Sequence, residues 1–424
     1  MSFLTTRRLI ACAFLLTPIL SGAVEALPGN DAPLTLQDAV ARTLQYNPGL
    51  QVFGYELTAQ DGRTRQAGAA PNPELVIEAE DAFGTGSRSG VSAMQTTISL
   101  RQVLERGALL RRVAVASEGR NLLDAELAEK RLDAASEAAR RFIQVLSDQA
   151  RLQLTHEANV LAAKTVEAAS LRAQAAKVPQ AELGRAEAAL ARTRLEHEDV
   201  EHELLTSRRQ LAALWGDTEA TFGEAQGQLS QLPALAPYES LSARISSNPS
   251  LLKFSSEARL REAEVKLAEQ RRKPAWTVSA GLRRYEAGND FAAVVGLSIP
   301  LPFSDRNEGN IATSLAVLEQ VDASRSATEV RVLTQLFELF QELQHAHHTA
   351  DTLDTEVLPR MQSALKQTEY AYERGRYGYL ELVAAQRELL EVKRARIQAA
   401  VNAYGYATEI DRLTGAVPGT TPTE

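Results

Sequence analysis

Few residues of this chain have the type and spacing to do chemistry. His345, His347 and His348 stand within four positions of one another. His345 and His348 are one helical turn apart, a spacing that metal ligands use. No carboxylate or cysteine completes a set of three or more ligands, which a first-row metal site needs. The trio reads as a solvated helix face, and no metal site is expected. The chain carries no GxxxxGK[ST] phosphate loop, no GxGxxG after a strand and no HExxH. Its one cysteine is Cys12, which leaves no paired-thiol chemistry. Neither an enzyme constellation nor a cofactor site emerges. A net charge of −8 and a pI of about 5.5 argue against a nucleic-acid partner.

What the chain does carry is architecture. Residues 1–26 read as a secretory signal: basic Arg7 and Arg8, an apolar run from Leu9 to Leu20, and Val24-Glu25-Ala26 as the cleavage site. Cys12 follows the arginines after only three apolar residues, too early for lipid attachment. Beyond residue 26 no stretch has eighteen consecutive apolar residues, so any entry into a membrane must use strands.

Two segments have the required alternation. Trp276, Val278, Ala280 and Leu282 alternate with Thr277, Ser279, Gly281 and Arg283, giving one apolar and one polar face. After a turn at 288–290, Phe291, Ala293, Val295 and Leu297 continue the apolar set, and Pro300 and Pro302 stop the strand. Each strand runs about ten residues, the length a tilted strand needs to cross a bilayer. A weaker hairpin spans 74–102, with Leu75 and Ile77 on its apolar face. The residues expected to face lipid are Leu75, Ile77, Trp276, Val278, Leu282, Phe291, Val295 and Leu297.

The chain is also internally duplicated. Asn47-Pro48 and Asn248-Pro249 are 201 positions apart, and Glu182-Leu183 and Glu381-Leu382 are 199 apart. An internal period of this kind sets the fold before any local reading does. The first repeat, 27–215, holds a helix 36–69, the hairpin 74–102, a long helix 107–176 and a helix 179–215. A mid-height linker, 216–239, follows. The second repeat, 240–415, holds a helix 241–273, the hairpin 274–300, a long helix 308–374 and a helix 379–413. Residues 416–424 are expected to form a disordered tail. A 70-residue helix spans roughly 105 Å, and two shorter helices end to end retrace that length. Val332, Leu336, Leu339, Leu343, Ala346 and Ala350 follow the four-three spacing of a coiled coil. The fold class is mainly α with a small β part, built twice from a helix-strand-strand-long helix-helix unit.

Read this far, the chain resembles the TolC-type outer-membrane efflux factors, and among them the CzcC-like heavy-metal branch. The resemblance covers Leu36 to Gly415. Its most specific piece is Ile299 to Ile311, IPLPFSDRNEGNI, a junction of prolines followed by Asp-Arg-Asn and Gly-Asn-Ile. Ala69 to Leu75 with Glu78 and Glu80 matches the entry to the first hairpin. Gly107 and Arg111 match the entry to the long helix, although the family's lysine is absent.

The resemblance implies a homotrimer whose twelve strands form one outer-membrane barrel, continued by a helical tunnel into the periplasm of a Gram-negative bacterium. It implies a periplasmic adaptor and an inner-membrane resistance-nodulation-division pump as partners, outer-membrane lipid as surroundings, and passive export of heavy-metal cations. Val178, Pro179 and Gln180, with Gly375, Arg376, Tyr377 and Gly378, are then the tip that meets the adaptor. Glu381 takes the family's first acidic position at the tunnel mouth. Ala384 stands where many members have a second acid, and Arg387 offsets part of the charge. A drug-efflux channel of the same fold, or a periplasmic coiled-coil scaffold without a pore, are the alternatives.

Overall fold

The computed structural model describes residues 32–105 and 107–419. The expected signal at 1–26 lies outside them. Thirteen long elements are described. They are α1 (Leu36–Tyr46), α2 (Pro48–Ala67), β1 (Glu74–Glu80), β2 (Gln95–Leu104), α3 (Ala108–Gln174), α4 (Gln180–Ala212), α5 (Tyr238–Arg244), α6 (Pro249–Arg271), β3 (Trp276–Tyr285), β4 (Asp290–Ser298), α7 (Glu308–Thr352), α8 (Leu358–Glu373) and α9 (Tyr379–Leu413).

The four strands form one antiparallel sheet in the order β1-β2-β3-β4. The two hairpins are thus one unit, joined where β2 pairs with β3 from Gln95↔Tyr285 to Leu104↔Trp276. The sequence places the second turn at 288–290. Instead Asp290 opens β4, and Asn289 takes the positive φ of 52° that the tight turn requires. Residues 81–94, expected to lie within the first hairpin, form a long connection. Phe83 N–H donates to Gly90 O (2.7 Å) and Gly84 N–H to Arg88 O (2.9 Å), around a short 3₁₀ turn at Gly86–Arg88.

Two expected single helices are each broken. The segment 36–69 splits at Asn47 and the segment 241–273 splits at Asn248, and the physical reason is the same. Proline at the first position of a helix needs no donor, and asparagine ahead of it caps the helix. Asn47 Oδ1 accepts from Leu50 N–H (3.1 Å) while its amide donates to Leu214 O (2.8 Å). Asn248 Oδ1 accepts from Ser250 N–H (2.7 Å) while its amide donates to Leu413 O (2.8 Å). Each asparagine therefore starts one helix and satisfies an orphan carbonyl at the end of another. Both meeting points are closed by a left-handed glycine, Gly216 (φ 90°) and Gly415 (φ 75°). A Cβ on Gly415 would lie 2.7 Å from Ser247 O.

The core is a string of clusters along the helical axis. Leu34, Phe142, Val145, Leu211, Trp215 and Phe222 pack in the first half. Leu241, Ile245, Val332, Leu336, Leu343 and Ile410 pack at the matching height in the second. The four-three seam of α7 is the buried stripe, as its spacing predicts: Val332, Leu336, Leu343, Ala346 and Ala350 are all buried. Of the expected tail, residues 416–419 are described, and Gly419 O accepts from Gln37 Nε2 of α1 (2.8 Å); residues 420–424 lie outside the described residues.

Asn248 is 2% exposed, so Asn248→Ala removes a cap and strands a buried carbonyl. The expected loss is about 2–4 kcal/mol, against a few tenths for an exposed control such as Ser255→Ala. Thermal denaturation of the detergent-solubilised protein measures it. A shift no larger than the control's refutes the role given to Asn248.

Candidate functional site

Two regions stand out, the sheet at one end and the helical turns at the other. Register fixes the faces of the sheet. Leu75 pairs with Leu100, Ile77 with Ile98, Val278 with Leu297, and Ala280 with both Leu100 and Val295. Side chains alternate along each strand, so Leu75, Ile77, Ile98, Leu100, Leu104, Trp276, Val278, Leu282, Phe291, Val295 and Leu297 all share one face. That face covers no core. Val295 is 83% exposed and Phe291 68%, and Leu75, Ile77 and Leu282 are exposed as well, while Trp276 and Val278 at the helix end are half-buried. The eight residues expected from the sequence to face lipid all lie here. Ile98, Leu100 and Leu104 of β2 belong to the same band, although polar neighbours dilute the alternation of that strand.

The opposite face is polar and knitted together. Arg283 Nε donates to Thr97 Oγ1 (2.8 Å) and its guanidinium to Gln95 Oε1 (3.1 Å), and it pairs with Glu80 (2.7 Å). These bonds cross β1, β2 and β3. Among the described residues no helix is long and apolar enough to cross a membrane. Exposed apolar side chains also occur singly along the helices, but on the sheet Leu75, Ile77, Ile98, Leu100, Leu282, Phe291, Val295 and Leu297 share one face.

At the far end both long helices stop in the same way. Ala176 and Gly375 take left-handed φ values of 54° and 70°. Lys177 N–H donates to Arg172 O and Arg376 N–H to Ala371 O, each at 2.9 Å, the six-to-one bond that closes a helix C-terminus. The turns leave Pro179, Gln180, Gly375, Arg376, Tyr377 and Gly378 exposed and Val178 half-buried. Behind them Ala169, Ala186, Leu365, Tyr372, Tyr379, Leu382 and Leu389 form a buried cluster that binds the two helical pairs to each other.

Tyr372 is the centre of that cluster at 1% exposed. Its hydroxyl donates to Glu182 Oε1 (2.8 Å), and the Arg172 guanidinium stacks 4.3 Å from its ring centroid. Burial, then the bond to Glu182, raises the Tyr372 pKa above the ordinary tyrosine value, so the hydroxyl stays a donor. The equivalent glutamate of the second repeat does something else. Glu381 is exposed in the first turn of α9, and its Oε2 accepts from Gly378 N–H (3.1 Å) as the helix cap. Arg387 is exposed one turn and a half beyond, on the rim of a 440 Å³ cleft between α3, α4 and α9. His345 and His348 are exposed and His347 is half-buried. Among the described residues no group of three His, Cys, Asp or Glu side chains is placed to hold a metal ion.

A family model described as outer membrane efflux protein matches residues 39–217 and 241–416, one stretch in each repeat. The chain belongs to this family. The cobalt-zinc-cadmium resistance protein CzcC of Cupriavidus metallidurans is 31% identical over 383 residues, 90% of each chain. The nickel and cobalt resistance protein CnrC of the same organism is 30% identical over 77% of this chain and 75% of its own. Among solved structures, the outer membrane protein VceC of Vibrio cholerae superposes with a TM-score of 0.72 at 20% identity, over 90% of this chain and 96% of that one. CusC does so at 0.74 and 15% identity, over 90% and 92%. At those identities the likeness speaks for the fold. The efflux family places the chain in the outer membrane, extending into the periplasm.

The Tyr372–Glu182 bond joins residues 190 positions apart. Tyr372→Phe removes the hydroxyl and leaves the helices intact. Hydrogen exchange at the tip turns, 174–182 and 372–380, is expected to quicken by roughly ten- to a hundredfold, as loss of one bond to a carboxylate implies. Exchange around Asn47 and Asn248 should not change. Equal rates at the tip in both proteins contradict the tie.

Proposed function

We propose that three copies of this chain close a twelve-stranded barrel in the outer membrane, and that their helices continue it as a duct through the periplasm. The observation that carries this reading is the sheet. Among the described residues it has four strands, two edges that no other strand pairs with, and a largely apolar face on which Leu75, Ile77, Leu282, Phe291, Val295 and Leu297 are exposed. In hydrocarbon every backbone donor and acceptor needs a partner, so an open four-stranded sheet is not a stable end point. Twelve strands from three chains leave no edge and lie within the range of known barrels. The knitted polar face, with Arg283 and Glu80, then lines the lumen.

The duct is passive in this reading. Its energy comes from an inner-membrane pump of the resistance-nodulation-division type, reached through a periplasmic adaptor that meets the exposed tip turns. Its cargo is heavy-metal cations. Support for the cargo comes from relatives named for resistance to cobalt, zinc, cadmium and nickel. Cations passing through need no resident metal site.

Leu282 and Ser279 lie on opposite faces of β3. Leu282→Arg puts a charge on the exposed apolar face in the middle of the strand and costs roughly 2–4 kcal/mol per chain near the bilayer midplane. It should sharply lower the amount of assembled protein in outer membranes, whereas Ser279→Arg should leave assembly intact and alter conductance. Equal tolerance of both overturns the assigned faces.

Glu381 forms a ring of three carboxylates at the narrow mouth in this reading. Such a ring repels itself and attracts cations, which favours cation entry and weakens tight closure. Glu381→Gln keeps an amide oxygen for Gly378 N–H, so the cap survives while the charge goes. Cation preference in planar-bilayer recordings should fall, and Glu381→Lys should lower it further. If neither change alters ion selectivity or metal resistance, Glu381 serves only as a helix cap.

A further inference from the structure

Helices α3 and α4 meet at two histidines that the conduit reading does not use. His156 lies on α3 and His197 on α4, with ring centroids 6.2 Å apart and planes tilted by 51°. His156 is exposed and His197 half-buried. Thr155, beside His156, is buried, and its Oγ1 lies 2.8 Å from His197 Nδ1. That hydroxyl gives its one proton to Leu152 O (3.0 Å), a bond that helix threonines commonly make. The imidazole is therefore the donor in the second bond, with its hydrogen on Nδ1. This tautomer leaves the lone pair on Nε2.

The lone pair faces a carboxylate. His197 Nε2 is 3.5 Å from Glu201 Oε1, one turn further along α4. Two acceptors at that distance repel each other unless a cation lies between them. The neighbouring acids are matched by long cationic side chains: Glu157 by Lys393, Glu196 by Arg394 and Glu203 by Arg151. Among the described residues Glu201 forms no ion pair with a lysine or arginine and meets only the imidazole.

A proton or a metal ion can take the place between nitrogen and oxygen, and the distance favours the metal. A proton shared by a charged pair draws the two atoms to about 2.7–2.9 Å. A tetrahedral ion with nitrogen and oxygen ligands at about 2.0–2.2 Å holds them roughly 3.3 Å apart. On the same bond lengths two imidazoles sharing one ion have centroids roughly 5 Å apart, so His156 joins by a movement of about 1 Å. As they stand the three side chains are not gathered round one point, and His156, exposed on α3, makes the final approach. Imidazole ligands suit Zn²⁺ or Ni²⁺ better than Mg²⁺ or Ca²⁺. The Thr155 bond is the kind of outer contact that fixes the ring of a ligating histidine.

We propose that His197, Glu201 and His156 form a divalent metal site that ties α4 to α3, with Thr155 as its positioning residue. The site stands on the packing of these two helices and is independent of the conduit reading.

Isothermal titration of the full chain in mild detergent with Zn²⁺, and with Mg²⁺ as control, tests it. One Zn²⁺ should bind per chain with micromolar affinity, and Mg²⁺ should not compete. His197→Gln, Glu201→Gln and His156→Gln should each weaken binding by roughly tenfold or more. Thr155→Val should weaken it roughly tenfold, the scale of a lost outer contact, and Thr155→Ser, which keeps the hydroxyl, should bind as the wild type does. The double variant His345→Gln/His348→Gln should also bind normally. No Zn²⁺ binding, or unchanged affinity in His197→Gln or Glu201→Gln, overturns the site. Loss of binding in the His345/His348 variant overturns it too, by moving the ion to α7. Unchanged affinity in His156→Gln overturns the tie between the helices, and unchanged affinity in Thr155→Val overturns the positioning role.

Discussion

A strand edge left unpaired in hydrocarbon exposes a row of backbone donors and acceptors that nothing there can satisfy. Most of this structure follows from avoiding that. Its sheet has lipid-compatible side chains on one face and a polar network on the other, and two free edges, β1 and β4. Among the described residues neither edge pairs with a further strand. In the trimer proposed above, the edges of further copies pair with these two.

Duplication supplied the parts, and divergence gave equivalent positions separate duties. Asn47 and Asn248 still do the same thing, capping one helix and closing the end of another. Glu182 and Glu381 do not. The first accepts from Tyr372 across the tip, and the second caps its own helix with its side chain exposed. The long helices have parted too, with Pro359 and a π-turn in one and an unbroken ladder in the other.

Much of this was legible in the residues. Trp276 to Leu282 and Phe291 to Leu297 announce two-faced strands because side-chain direction alternates regardless of what the chain packs against. The 199- to 201-residue offsets reveal the repeat without any propensity argument. The breaks at Asn47 and Asn248 were readable as well, since asparagine before proline is a helix start, but a long apolar periodicity hid them. The Tyr372–Glu182 tie was not readable, because its partners meet only through tertiary packing. Nor was Arg396, which looks like any surface arginine of a charged helix until the linker carbonyls of Leu229 and Ser230 are beside it.

The central claim is that the sheet is one third of a closed barrel. Native mass spectrometry of protein extracted from outer membranes in mild detergent tests it most directly. The account predicts a single assembly of three chains, unchanged on dilution, with no stable smaller species. A one-chain or two-chain particle from the same membranes would contradict it, since either would leave strand edges open in lipid.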